Sequence, residues 1–144
     1  MFLFEIHGDP IPQQQTRFIR KTGIAYDPSK KQKLQLQWQA KPYAPPTPLA
    51  CPIILDLTFF VSIPKSASKV QQRLMANHSI LPSKKPDIDN LAYLITNALK
   101  KIFYEDDNQI VDMYLHKRYG EQPRTVVKIM TIQEAWPSNG KGCD

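Results

Sequence analysis

The chain has 144 residues, 42% of them apolar and 22% charged, with a formal net charge of +6. That length suits one domain with a modest core, and no run of residues approaches the ~20 apolar positions of a membrane span. Residues 1–6 lack the basic start and long apolar stretch of a signal peptide, so a cytoplasmic protein is expected. Cys51 and Cys143 are too few to build a disulfide framework or a zinc site by themselves and read as incidental thiols.

The positive charge points to a polyanionic partner, and its distribution is more informative than its size. Residues 63–86 hold Lys65, Lys69, Arg73, Lys84 and Lys85 with no acid. Residues 87–112 then hold six of the thirteen acids: Asp87, Asp89, Glu105, Asp106, Asp107 and Asp112. Lysines for a phosphate backbone beside carboxylates for a metal are the needs of a nuclease.

In chain order, residues 1–6 read as a strand with Phe2, Phe4 and Ile6 on one face, ending at Gly8-Asp9-Pro10. Residues 11–23 carry Arg17, Arg20 and Lys21 among glutamines and read as a loop or ragged hairpin. A helix is expected from Asp27 as N-cap and Pro28 as first position, with Leu34 and Trp38 one turn apart and Lys30, Lys31 and Lys33 on its polar face. Pro42, Pro45, Pro46, Pro48 and Pro52 then make a stiff connector.

Residues 53–63 are β-branched, aromatic and almost continuously apolar, the pattern of a central strand covered on both faces. Asp56 interrupts them, either as a hydrogen-bonded aspartate or as a fourth carboxylate beside a metal. Residues 65–76 read as a short helix. The clearest helix spans residues 90–102, where Leu91, Leu94, Ile95, Ala98, Leu99 and Ile102 form one stripe. Residues 109–117 and 124–132 alternate as two strands joined around Gly120, before a polar tail over 137–144. The expected architecture is one α+β domain over residues 1–136, with helices packed on a small mixed sheet.

Asp87 and Asp89 stand two apart ahead of the long helix. In extended backbone both carboxylates face the same way, and the helix N-terminus favours negative charge there. The alternative is that Asp89 is an ordinary N-cap and Asp87 is solvated. Asp106 and Asp107 lie a helix length downstream, so the strand after them must run back antiparallel to the helix if Asp107 is to approach Asp87 and Asp89. Carboxylates without histidine or cysteine suit Mg²⁺ or Mn²⁺ rather than zinc.

The run Lys85-Pro86-Asp87-Ile88-Asp89-Asn90-Leu91, an amphipathic helix, and then Tyr104-Glu105-Asp106-Asp107-Asn108-Gln109-Ile110 resemble the signature of the RusA family of Holliday junction resolvases of bacteria and their prophages. The basic stretch from Pro64 to Lys69, and Gly8-Asp9-Pro10-Ile11-Pro12 followed by Arg17, are weaker matches to the same family. The resemblance implies a homodimeric α+β endonuclease that binds four-way DNA junctions and, with Mg²⁺, makes paired symmetric cuts in recombination and repair. It makes Asp87, Asp89 and Asp107 the catalytic and metal-binding aspartates, with Asp106 assisting. Arg17, Arg20, Lys21, Lys65, Lys69, Lys84 and Lys85 are the expected DNA-binding residues. One departure stands out: where the family often has a lysine six residues after the first aspartate, this chain has Tyr93. Two alternatives stay open, a junction-binding protein without scission and a nuclease for other branched DNA such as flaps.

Overall fold

The computed structural model describes residues 1–137. Strand β1 (Phe2–His7) buries Phe4 and Ile6 and turns Leu3 and Glu5 outward, the two-residue period of a half-buried strand. Of the two forms expected for residues 11–23 the hairpin is the one formed: β2 (Arg17–Ile19) pairs with β3 (Ile24–Tyr26), and both strands are exposed throughout. Gly23 closes it at φ +66, a conformation open to glycine because it has no Cβ.

Helix α1 (Lys30–Ala40) begins later than expected. Its N-cap position is Ser29, and Asp27 lies outside it, accepting from the Ser29 amide at 2.9 Å. The helix buries Leu36 and Ala40, whereas Leu34 and Trp38 are 49% and 77% exposed. Apolar residues at 34, 36, 38 and 40 cannot share one helical stripe. Packing against β1 and the later long helix selects the second pair and leaves Leu34 and Trp38 outside.

Strand β4 (Ile53–Ser62) is followed by α2 (Lys69–Ala76), which Ser68 and Gln71 start with a reciprocal capping box. Helix α3 (Ile88–Leu99) starts two residues before the expected bound and stops three short of it. Lys100 turns extended and Lys101 adopts φ 67, so Ile102 leaves the helix although it stays in phase with the stripe. Strands β5 (Ile110–Gly120) and β6 (Arg124–Thr131) and a last turn, α4 (Ile132–Ala135), complete the fold.

The strands form one mixed sheet in the order β1-β6-β4-β5, with β4 parallel to β5 and antiparallel to β6. This is the expected α+β domain with helices on a small mixed sheet. Ile53, Leu55, Leu57 and Phe59 of β4 enter one core with Leu36 and Ala40 of α1 and Leu91, Ile95, Ala98 and Leu99 of α3. The other face of β4 is not covered as expected: Ile54 is buried, but Asp56, Thr58 and Phe60 are partly open. Its apolar run reflects a central place in the sheet rather than cover on both sides. Strands β5 and β6 do not pair with each other, because β4 lies between them. Their connection crosses over Phe60, so close that a Cβ on Gly120 would stand 3.0 Å from the Phe60 Cβ.

Cys51 is disulfide-bonded, not the incidental thiol expected. Among the described residues no helix is long and apolar enough to cross a membrane. The expected polar tail lies outside the described residues beyond Pro137.

Candidate active site

Asp87, rather than Asp89, occupies the N-cap position of α3, in extended backbone. Its carboxylate makes no capping hydrogen bond and is exposed. Asp89 lies in the first turn, also exposed, and accepts from the Asn90 amide at 2.9 Å. The ordinary-cap account therefore holds only in part: the Asp87 carboxylate is solvated and caps nothing, whereas the Asp89 carboxylate, from within the first turn, takes up one of the free amides at the helix's positive end. A shallow groove at this end is lined by Pro12, Gln13, Lys85, Pro86, Asp87 and Asn90.

The far end of the same helix holds the second acidic segment. Tyr104 is wholly buried, and the segment after it makes a short turn at Asp107–Gln109 before β5. Asp106 pairs with Lys100 at 3.2 Å, and that ammonium, with the amides of Asp107 and Asn108, holds its carboxyl below the usual range. Asp106 is thus already satisfied by the protein. Asp107 is not. Its Oδ1 is buried without a hydrogen-bond partner, and burial pushes its carboxyl above the usual range, opposed by Lys100 and reinforced by Asp106.

Asp107 shares a groove with Tyr93, Thr96 and the first residues of β5. Strand β5 does run back antiparallel to α3: its start lies by Thr96, and Lys117 near its end reaches the loop before the helix. Tyr93 and Thr96 lie six and nine residues beyond Asp87, about 9–14 Å along a helix. Among the described residues no three histidine, cysteine, aspartate or glutamate side chains are gathered for one metal. The donor chemistry nevertheless fits a hard cation: oxygen ligands only, with Asp87 uncommitted, Asp89 holding a single amide hydrogen bond and Asp107 an orphaned buried oxygen. Asp56 belongs to neither group. It lies on the opposite face of the sheet, its Oδ1 3.8 Å from Nε2 of His116.

The basic residues come from separate segments. Arg17, Arg20 and Lys21 are exposed on the β2–β3 hairpin, and the backbone just before it is tied to α3 where the Gln13 amide donates to the Asn90 carbonyl at 3.0 Å. Lys84 and Lys85 are exposed immediately before Asp87. Lys65 and Lys69 line a different groove with Gln72 and Arg73, and none of these aspartates lines it. Sequence reasoning missed Lys117, whose ammonium donates to the Lys84 and Pro86 carbonyls at 2.8 and 2.9 Å. Its signal was there: Lys117 is in phase with the inward Leu115, so an alternating strand points this lysine toward the helices.

The family model for endodeoxyribonuclease RusA matches residues 7–130, which include the hairpin, both acidic segments and Lys117. The uncharacterized protein YqaN of Bacillus subtilis (strain 168) is 31% identical over 135 residues, covering 90% of this chain and 95% of that protein. The chain belongs to the RusA endodeoxyribonuclease family.

Proposed function

We propose that the chain is a divalent-metal-dependent endonuclease that resolves four-way DNA junctions as a homodimer, acting in the cytoplasm in DNA recombination and repair. The observation that carries this reading is Asp87, an aspartate at an N-cap position that does no capping. Beside it stand a second exposed carboxylate, Asp89, and two exposed lysines.

Asp87 and Asp89 would hold Mg²⁺ or Mn²⁺, Asp107 would join them only where the groove beside Thr96 closes toward the start of α3, and Asp106, bound to Lys100, would act only through its neighbour. The bound ion supplies an activated water and a counter-charge at the scissile phosphate. The chain's own residues do the rest. The amides at the start of α3 favour anionic oxygens, and Lys84 and Lys85 draw a phosphate backbone to the carboxylates. The hairpin residues Arg17, Arg20 and Lys21 extend that contact, with Lys65 and Lys69 as a second basic strip. A homodimer would bring two such sites to opposed strands of a junction, which is what paired symmetric cuts require.

Cleavage of a synthetic four-way junction with Mg²⁺ tests this, with wild type beside Asp87→Asn and Asp89→Asn. Wild type should cut in pairs and both variants should bind without cutting. Equal cutting by all three, or a wild type that neither binds nor cuts, rejects the reading. Tyr93 and the distance of Asp107 from Asp87 favour a second reading, a junction-binding protein without scission. It expects binding with no metal-dependent product. A flap nuclease shares the chemistry, and junction, flap and linear duplex compared at one salt concentration separate it.

A further inference from the structure

Residues 81–86, which lead into Asp87, have no regular secondary structure. Among the described residues, the hydrogen bonds that tie this loop to the rest of the protein both come from Lys117: Nζ to the Lys84 carbonyl at 2.8 Å and to the Pro86 carbonyl at 2.9 Å. The Pro86 carbonyl belongs to the peptide whose nitrogen is that of Asp87. Lys117 itself sits in β5, in register with Phe59 of the central strand, so the anchor is part of the sheet. It is partly buried and makes no ion pair with a described carboxylate, and two of its three N–H groups are taken by these carbonyls. A cation held beside Lys84 and Lys85 is unfavourable unless something offsets it. The two carbonyl dipoles do so.

We propose that Lys117 is the positioning residue of the active site: it clasps the 84–86 segment to the sheet and so sets how Asp87 and Asp89 present their carboxylates. This rests on the nuclease reading for its activity readout, but the clasp itself is measurable without cutting. The loop has no ladder hydrogen bonds to replace it, and a methionine of similar length can donate to neither carbonyl. Arginine can donate to both.

The test uses full-length wild type, Lys117→Met and Lys117→Arg, with two readouts. The first is amide hydrogen exchange in metal-free protein at Leu91, whose N–H donates to the Asp87 carbonyl at 3.1 Å in the first turn of α3. Lys117→Met should speed this exchange by about tenfold while the amides of β4 and β6 keep their protection. The second is junction cleavage with Mg²⁺, where Lys117→Met should lower kcat by about 10²-fold with KM within about threefold. Lys117→Arg should recover at least about tenfold of that loss. Unchanged exchange at Leu91 in Lys117→Met overturns the proposal, as does a kcat within threefold of wild type or an equal loss in both variants. If Lys117→Met loosens β4 and β6 as well, Lys117→Arg decides: normal protection with near-normal kcat supports the clasp, and normal protection with lost kcat overturns it. A wild type that binds junctions but never cuts sinks the nuclease reading instead, and the exchange at Leu91 then judges Lys117 alone.

Discussion

From a wholly buried position, Tyr104 donates its hydroxyl to the carbonyl of Thr96 at 2.7 Å. The bond ties the turn carrying Asp107 to α3, whose first residues carry Asp87 and Asp89. Burial, reinforced by the negative charge of Asp107, pushes the phenol well above its usual range, so it remains a donor at any ordinary pH. In Tyr104→Phe the Thr96 carbonyl keeps the Lys100 amide as a partner. The expected cost is therefore about 1 kcal/mol, seen as a lower urea midpoint at unchanged slope. Cleavage should fall by more than that loss of folded protein explains, because Asp107 loses its brace. A variant with wild-type midpoint and wild-type cutting would refute this.

Asp107 should trade stability for function. Its raised carboxyl pKa means the native state binds the proton more tightly than the unfolded chain. Native stability is then lost as pH rises from about 3.9, the unfolded value, through the raised native one. Asp107→Asn removes the cost of that desolvated charge. At pH 7 it should be more stable than wild type, by at most about 1 kcal/mol after allowing for solvent screening. The gap should close as pH falls below about 4. Melting curves across that range check the sign, and an Asn variant less stable than wild type at pH 7 would show that Asp107 holds structure rather than awaiting a cation.

Much of this architecture could be read from residue patterns. The alternation in β1 and β6, the apolar run of β4 and the stripe of α3 each fix an element from local spacing. What the patterns left open depends on packing between distant segments. Leu34 and Trp38 keep the helical spacing yet lie outside, because β1 and α3 meet the side of α1 that bears Leu36 and Ala40. The end of α3 at Leu99 carries no glycine or proline, so only the backbone turn at Lys100 and Lys101 reveals it. Within the site, the aspartates announced themselves by type and spacing, but which one sits at the N-cap did not. Lys117 was hidden for a different reason: its role exists only because β5 passes beside a loop some thirty residues earlier in the chain.

The base of the basic hairpin should be pH-sensitive. Asp27 accepts from the Ser29 amide, from the Gln13 side-chain amide at 3.0 Å and from Lys33, joining the two ends of the β2–β3 excursion to α1. The Lys33 bond is the largest of the causes that hold its carboxyl below the usual range. For a lowered carboxyl the stabilisation is present above about pH 3.9 and is lost as pH falls through the native value. Asp27→Ala should cost about 1–2 kcal/mol at pH 7 and much less at pH 2–3. An equal cost at both pH values would mean that the carboxylate charge is not what holds this junction together.

The hairpin itself should contribute affinity without choosing the substrate. Its strands are exposed throughout and pack no side chain into the core, so Arg17, Arg20 and Lys21 can change without unfolding the sheet. Each arginine or lysine that neutralises a phosphate releases counterions and adds about 0.9 to the slope of log affinity against log salt. Replacing all three with alanine should lower that slope by up to about 3 if each meets a phosphate. It should also weaken binding to a four-way junction and to linear duplex by similar factors, because phosphate contacts carry no base information. Fluorescence anisotropy over a series of salt concentrations measures both quantities. An unchanged slope would remove the hairpin from the DNA interface and leave Lys84, Lys85 and the α2 strip to carry the binding. A loss confined to the junction would instead make the hairpin a reader of branch geometry.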